Sequence, residues 1–521
     1  MMNFKQILFD KQIYEINLLP QRSTFAVYGS EERYRAGKEE GTLLDDGWKG
    51  LYAEDVTEAM EEYLSREKSL DGIKDIEVPL AIELQGYGQL RYVNTQYPFD
   101  GYNEGAQGEE IRMKNPCMLY LRDYSLAEKK ADRKYVLNFK GSESALFLYV
   151  NAQPVGYSEN LYLDSEFDIT KYLAEGENRI AVFCFQFCSS TWLLDQDFYR
   201  FSGLFREVVL SELSSVGVYD IDIHSRVDSQ SRTSETTIIV AGGEEDTCRV
   251  LSVFDEAGRT VWQAEGTGGQ ERFSFRLTDI RLWNAEEPYL YRLTVRTYRD
   301  GALLEIAETP FGFREVCIKD GLLLLNGKRL ILNGINRHEW SMERGRSLTR
   351  EDMDFDVSFL KEHNINAVRT SHYPNHTYFY ELSDRCGFYL MDEACLESHG
   401  SFGTAEGSRC ELSLPADNPE WETICLNKLL RMYERDKNHP SIILWSLGNE
   451  SGCGETFFRM REALKIRNPD VLIHYEQGYE DETYMKVSDV YSSMYMPAAK
   501  VSGFIENSHT DKPYILCEYA H

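Results

Sequence analysis

Ser441-Ile-Ile-Leu-Trp-Ser-Leu-Gly-Asn-Glu450 decides the fold. A short apolar run that stops abruptly at polar residues reads as a strand buried on both faces, as in parallel sheets. Working outward, comparable runs stand at Leu330-Ile-Leu-Asn, Asn366-Ala-Val-Arg, Phe388-Tyr-Leu-Met, Val471-Leu-Ile-His, Val487-Ser-Asp-Val and Tyr514-Ile-Leu-Cys. Helical segments lie between several of them, as at Arg350 to His363 and Trp421 to Asp436. Repeated strand–helix units imply a parallel sheet, and about seven of them with short apolar strands predict a (β/α)8 TIM barrel over 317–521. A doubly wound fold would carry a Gly-rich phosphate loop after an early strand, and none is present.

The upstream grammar is different. Over 76–212, short runs such as Lys134-Tyr-Val-Leu-Asn-Phe, Ala145-Leu-Phe-Leu-Tyr-Val and Asn178-Arg-Ile-Ala-Val-Phe-Cys-Phe recur between turn residues, which predicts a jelly-roll β-sandwich. Over 213–316, strands such as Arg249-Val-Leu-Ser-Val-Phe and Tyr291-Arg-Leu-Thr-Val-Arg-Thr-Tyr predict a second, immunoglobulin-like β-sandwich. Residues 1–75 are polar and irregular and read as an extended arm laid over the other domains.

With 56 basic against 86 acidic residues, the formal charge of −30 repels phosphate backbones and anionic lipid, so nucleic acid and membrane surfaces are not expected partners. No run is long and apolar enough to span a bilayer, and Met1-Met-Asn-Phe-Lys-Gln lacks the apolar core of a secretory signal, so a cytoplasmic protein is expected. The eleven cysteines form no CxxC pair, and Cys184, Cys317 and Cys517 sit in apolar runs as buried thiols.

In a barrel the site lies at the carboxyl ends of the strands. Reading off those ends gives Asn336-Arg-His338-Glu-Trp340, Arg369-Thr-Ser-His372, Asp392-Glu393 followed by Glu397 and His399, Asn449-Glu450, Met494-Tyr495 and Glu518-Tyr519. A single glutamate at a strand end is usually a solvated loop residue. Convergence of His, Glu, Asn and aromatic residues at several ends points to a built site. Two carboxylates at strand ends, Glu450 and Glu518, are the minimum equipment for cleaving a glycosidic bond, one as proton donor and the other as nucleophile or base.

The segments Trp445-Ser-Leu-Gly-Asn-Glu-Ser and Ile515-Leu-Cys-Glu-Tyr-Ala-His resemble glycoside hydrolase family 2, specifically its large bacterial β-galactosidases. The likeness continues through Asn333-Gly-Ile-Asn-Arg-His-Glu, Val368-Arg-Thr-Ser-His-Tyr-Pro-Asn, Met391-Asp-Glu-Ala-Cys-Leu-Glu-Ser-His-Gly, Asp436-Lys-Asn-His-Pro-Ser, Asp195-Gln-Asp-Phe-Tyr-Arg-Phe-Ser-Gly and Asn94-Thr-Gln-Tyr-Pro. The resemblance implies a retaining hydrolysis of terminal β-D-galactosides, with Glu450 as acid/base and Glu518 as nucleophile. The charge on Glu518 is then expected to raise the pKa of Glu450. It also implies that Asn449 bonds the sugar 2-hydroxyl, that His338 and His372 hold further hydroxyls, and that Asn94 and His521 line the pocket. Tyr495 would bond the nucleophile. Glu397, His399 and Glu450 would hold Mg²⁺, and Asp197 would contact the 6-hydroxyl and a Na⁺ ion, with Asp195 as its rival. Glu397-x-His399 alone would be weak grounds for a metal.

Family members commonly form homo-oligomers and continue far beyond the nucleophile. On that resemblance the chain is expected to be the amino-terminal three-domain portion of a longer enzyme, short of the last barrel strand, the tryptophan floor of the pocket and part of the Na⁺ site, and unstable or inactive alone. The within-family alternatives are a β-glucuronidase or β-mannosidase. The alternative from another class is a non-catalytic carbohydrate-binding or assembly fragment.

Overall fold

The computed structural model describes residues 4–94, 97, 114–402, 413–477, 483–507 and 511–520. A seven-stranded antiparallel sheet and a four-stranded one face each other in the first domain. Their strands alternate side chains between the two faces, so one set, including Met118, Tyr120, Leu146, Leu148, Ile180 and Val182, fills the space between the sheets. Segment 1–75, expected as an arm, supplies strands to the sheets of two domains. Lys49–Ala53 pairs with Cys117–Leu126, Thr42–Leu43 with Val208–Ser214, and Ala26–Tyr28 with Ala302–Phe311 of the second sandwich. That second sandwich packs a three-stranded sheet on a five-stranded one around Ile238, Val240, Leu251, Val253, Leu293 and Val295.

The third domain alternates strands and helices: β1 (Gly334–Asn336), α1 (Arg350–Glu362), β2 (Ala367–Arg369), α2 (Thr377–Cys386), β3 (Tyr389–Glu393), α3 (Pro419–Asp436), β4 (Ile442–Ser446), α4 (Glu455–Arg467), β5 (Ile473–His474), β6 (Tyr491–Met494), α5 (Ala498–Asn507) and β7 (Tyr514–Glu518). Strands β1 to β5 form one parallel ladder, and β6 pairs in parallel with β7. The Asp489 amide bridges β5 and β6, donating to the Ile473 carbonyl at 2.8 Å. Seven barrel strands occur among the described residues. β7 and β1 meet through side chains rather than a ladder, with Asn336 Nδ2 donating to the Cys517 carbonyl at 3.0 Å.

Local chemistry sets the helix ends. Thr349 and Asp352 close a reciprocal capping box at the start of α1, and Asn418 caps α3 ahead of Pro419. Gly387 ends α2 at φ +77°, where an added Cβ would lie 2.3 Å from the Ala285 carbonyl oxygen of the second sandwich. At that close approach only glycine fits, so the cap also docks two domains.

Two strands differ from the sequence reading. β1 begins four residues after Leu330, because Leu330 and Leu332 pack in the cluster at the lower end of the barrel with Leu323 and Leu325. β6 is Tyr491–Met494 rather than Val487–Val490: its Ser492 and Ser493 are buried, and Ser492 Oγ lies 2.9 Å from His474 Nε2.

Trp283 fixes the second sandwich to the barrel. It is fully buried, donates from Nε1 to the Asp384 carbonyl at 2.9 Å, and meets the Tyr389 ring edge-on. Trp283→Ala is expected to lower the free energy of unfolding by about 3–5 kcal/mol, measured by urea denaturation; a change under about 1 kcal/mol would contradict this docking role.

Below the same junction, His439 Nδ1 lies 2.6 Å from Asp384 Oδ2. Burial pushes the His439 pKa down, but the Asp384 carboxylate and the neighbouring charges of Asp436 and Glu381 more than offset it, so the net shift is upward. A folded-state pKa above the unfolded value of about 6.5 gives stability that is complete below that pH and drains as pH rises through the folded pKa. His439→Gln is expected to flatten this decline in denaturation midpoints between about pH 6 and pH 9; an unaltered pH dependence would contradict the pairing.

Candidate active site

Glu518 ends β7 and is the centre of the site. Arg369 at the end of β2 donates from Nη1 to Glu518 Oε1 at 2.8 Å, and the Tyr495 hydroxyl donates to Glu518 Oε2. Tyr495 lies at φ +54°, just past β6, and its own amide donates to the Glu518 carbonyl at 2.7 Å. Burial and then the charges of Glu518 and Glu450 push the Tyr495 phenol up, so it stays a donor. His372 Nε2 approaches Glu518 Oε1 at 3.9 Å, with its other nitrogen 2.8 Å from Glu393 Oε1.

Arg369 is the hub. Its guanidinium is fully buried and meets Glu393 through Nε at 2.7 Å and Nη2 at 3.1 Å, Asn449 Oδ1 at 2.9 Å and Glu518 at 2.8 Å. Burial would push the Glu393 carboxyl up, but Arg369 and His372 hold it at about 2, so it remains ionised. Behind Glu393 a chain of hydrogen bonds runs through Ser446 Oγ, His474 and Ser492 across β4, β5 and β6. Burial drives the His474 pKa to about 3, which keeps its ring neutral. His338 is also neutral, pushed to about 2 by burial and then by His372, Arg346 and Arg369, and it stacks on Phe198 with centroids 4.5 Å apart.

Glu450 sits where the chain turns after β4. Gly448 adopts φ +142°, where a Cβ would meet the Leu396 carbonyl oxygen at 2.7 Å. Asn449 then donates its amide to that carbonyl, and Glu450 itself is held at φ +34°. A non-glycine residue in this region costs on the order of 1 kcal/mol and persists only where its surroundings impose it. His399 Nδ1 lies 3.0 Å from Glu450 Oε2. The expectation that the Glu518 charge dominates Glu450 is corrected here. Burial pushes the Glu450 pKa up, but the bond to His399 and the positive fields of His399, His372 and Arg369 turn the net shift downward.

Ligand atoms of Glu397, His399 and Glu450 all lie within 4.8 Å of one another. Glu397 Oε2 is buried with no hydrogen-bond partner among the described residues, and burial followed by the Glu450 charge pushes its carboxyl far up. An orphaned carboxylate oxygen beside a second carboxylate and an imidazole suits an oxygen-preferring divalent cation. Asp197 is not one of these three. It accepts from the Tyr92 hydroxyl, whereas Asp195 is fully buried, accepts the Gly400 amide at 2.6 Å and pairs with Arg200. Asp197, half-buried, is therefore the one of the two with an oxygen to offer a ligand.

The pairing of Arg91–Val93 with Phe198–Arg200 brings Asn94, exposed just beyond Val93, to the Asp197 end of that ribbon. His521 lies outside the described residues. Two partners escaped the sequence reading. His474 and Glu476 stand at the end of the β5 run, Val471-Leu-Ile-His-Tyr-Glu476, where the strand-end rule would have found them. Glu476 is buried, which pushes its carboxyl up to about 8, and it accepts the Glu450 amide at 2.8 Å. A separate cavity of about 1230 Å³ between the second sandwich and the barrel is lined by none of the predicted site residues.

The comparisons with known proteins cover the same ground. Residues 43–214 match the model described as the sugar binding domain of glycosyl hydrolases family 2, residues 211–314 the glycosyl hydrolases family 2 model, and residues 316–521 its TIM barrel domain. A β-galactosidase of Halalkalibacterium halodurans is 36% identical over 99% of this chain and 51% of its own length; one from Clostridium acetobutylicum is 37% identical over 99% and 58%. The chain thus spans about half the length of these curated relatives. A β-galactosidase large subunit of Leuconostoc lactis is 35% identical over 99% of this chain and 85% of its own. Among solved structures, a β-glucuronidase of an uncultured Clostridium superposes with a TM-score of 0.73 at 21% identity, over 97% of this chain and 85% of that one, a likeness of fold. With three models tiling the domains and a relative matched over most of its length, the chain belongs to glycoside hydrolase family 2.

Proposed function

We propose that this chain carries the catalytic centre of a retaining β-galactosidase. The observation that carries the reading is the setting of Glu518, with a buried guanidinium on one oxygen and a phenol hydroxyl on the other, which fixes the carboxyl in place and aims it as a nucleophile. In the first step a Glu518 oxygen bonds to the anomeric carbon as the bond to the leaving group breaks, and Glu450 gives its proton to the departing oxygen. In the second, Glu450 takes a proton from water, the water oxygen bonds to the same carbon, and the Glu518 carboxylate departs. Two displacements on one carbon retain its configuration. Asn449, oriented by Arg369, would serve the 2-hydroxyl, a contact that strengthens in the transition state. His338 and His372 would hold other hydroxyls.

Glu397, His399 and Glu450 would hold Mg²⁺, which when bound supplies a fixed positive charge that orients the Glu450 carboxyl. Asp197 would meet the 6-hydroxyl and contribute to a Na⁺ site. A carboxylate at that position repels a uronic acid and accepts a hydroxyl, which favours a galactoside over a glucuronide. The β-galactosidase names of the relatives support the same choice. The cytoplasmic compartment rests on the sequence reading, and a homo-oligomer on the resemblance. The described cysteines are all free, in keeping with a reducing compartment, and no described helix is long and apolar enough to cross a membrane.

Glu450→Gln is expected to lower kcat/KM for lactose about 10²- to 10⁴-fold, and Glu518→Gln to abolish turnover; unimpaired hydrolysis by either variant would contradict the assignment. In a panel of nitrophenyl glycosides, the β-galactoside should be cleaved well ahead of the β-glucuronide and β-mannoside, and the opposite order would favour the other activities. Chelation should depress turnover and added Mg²⁺ restore it, whereas indifference to chelators would remove the metal from the account.

A further inference from the structure

The turn that carries Glu450 is anchored one amide at a time. Leu447 donates to the His474 carbonyl at 3.0 Å and Asn449 to the Leu396 carbonyl at 2.9 Å. The Glu450 amide instead donates to a side chain, Glu476 Oε1, at 2.8 Å. On the far side of the residue the Ser398 amide reaches the Glu450 carbonyl at 3.4 Å. Between these two bonds Glu450 is held at φ +34°, in the left-handed region that an L-residue leaves unless constrained. Glu476 is 2% exposed, and its second oxygen is buried without a hydrogen-bond partner among the described residues. Oε1 also receives the Gln477 side chain, at a longer 3.5 Å, so the Glu450 amide is its shorter bond, and a carboxyl kept under the site at that desolvation cost is a support aimed at this peptide.

We propose that Glu476 is a positioning residue for the acid/base, fixing the Glu450 peptide in its left-handed turn and so directing the Glu450 carboxyl at the leaving-group oxygen. The proposal rests on the reading of Glu450 as proton donor and reaches past it to what holds the donor in place. Its consequence is selective. A misdirected donor penalises a leaving group that needs a proton and spares one that departs as a stable anion.

The test compares kcat/KM for methyl β-galactoside and 2,4-dinitrophenyl β-galactoside in the protein at its natural length and in four variants of it: Glu476→Leu, Glu476→Asp, Glu476→Gln and, as reference, Glu450→Gln. The Leu variant removes the acceptor, the Asp variant retracts it by one methylene while keeping a carboxyl group, and the Gln variant keeps a carbonyl oxygen in reach. Glu476→Leu and Glu476→Asp should lose about a hundredfold on the methyl glycoside and under about tenfold on the dinitrophenyl one, with Glu476→Gln within about threefold of the parent on both. Equal losses on both substrates, while Glu450→Gln discriminates, would overturn the proposal and leave the acid/base reading standing. Failure of Glu450→Gln itself to discriminate would take down both. A crystal structure of Glu476→Leu supplies a readout that needs no turnover. Departure of Glu450 from the left-handed region is expected, and an unchanged φ would overturn the proposal.

Discussion

One guanidinium organises the mouth of this barrel. Arg369 meets Glu393, Asn449 and Glu518 at once, so β2, β3, β4 and β7 are tied by charge-assisted bonds at the level where the chemistry is proposed to occur. Four carboxyl groups, Glu393, Glu450, Glu476 and Glu518, share its field, with His372 completing the set. Without that cation, Glu393 would be a buried charge left with only His372 and Ser446 beside it, and such groups take up a proton or unfold their surroundings.

The carboxyls divide by what stands next to them. Glu393 has the guanidinium and an imidazole and stays ionised. Glu397 has burial and like charge, and Glu476 has burial that outweighs the field of Arg369, so both pKa values rise. Glu450 lies between these extremes, drawn down by His399 in the arrangement seen here. The proton-donor role proposed for it therefore depends on how firmly His399 remains its partner. A cation shared by Glu397, His399 and Glu450 would alter that balance directly and would link those three residues to the acidity of Glu450.

Much of this was legible in the sequence because barrel physics concentrates it. Apolar runs end where polar side chains begin, and Asn449, Glu450, His372 and Glu518 came from that rule and converge in space. The rule failed where the barrel interior itself is polar. β6 buries Ser492 and Ser493 to complete the bonds of His474, so the apolar residues just before it drew the strand assignment away. β1 was displaced for the opposite reason, since the leucines before it serve the lower core. Glu476 stood in plain view at the end of β5, yet its partner is a backbone amide made available by the unusual φ of Glu450. Residue spacing carries no sign of that. The downward shift of Glu450 was equally hidden, because it depends on which nitrogen of His399 comes within 3.0 Å.

Glu518, held by Arg369 and Tyr495, is proposed to form a bond to the anomeric carbon. A galactosyl donor with fluorine at C2 and a good leaving group slows both displacements and should allow the covalent intermediate to accumulate. Proteolysis and mass spectrometry of the trapped protein should then place the fluorogalactosyl group on the peptide containing Tyr514–Glu518, at Glu518. A label on any other residue, or turnover with inversion at the anomeric carbon and no label, would contradict the account.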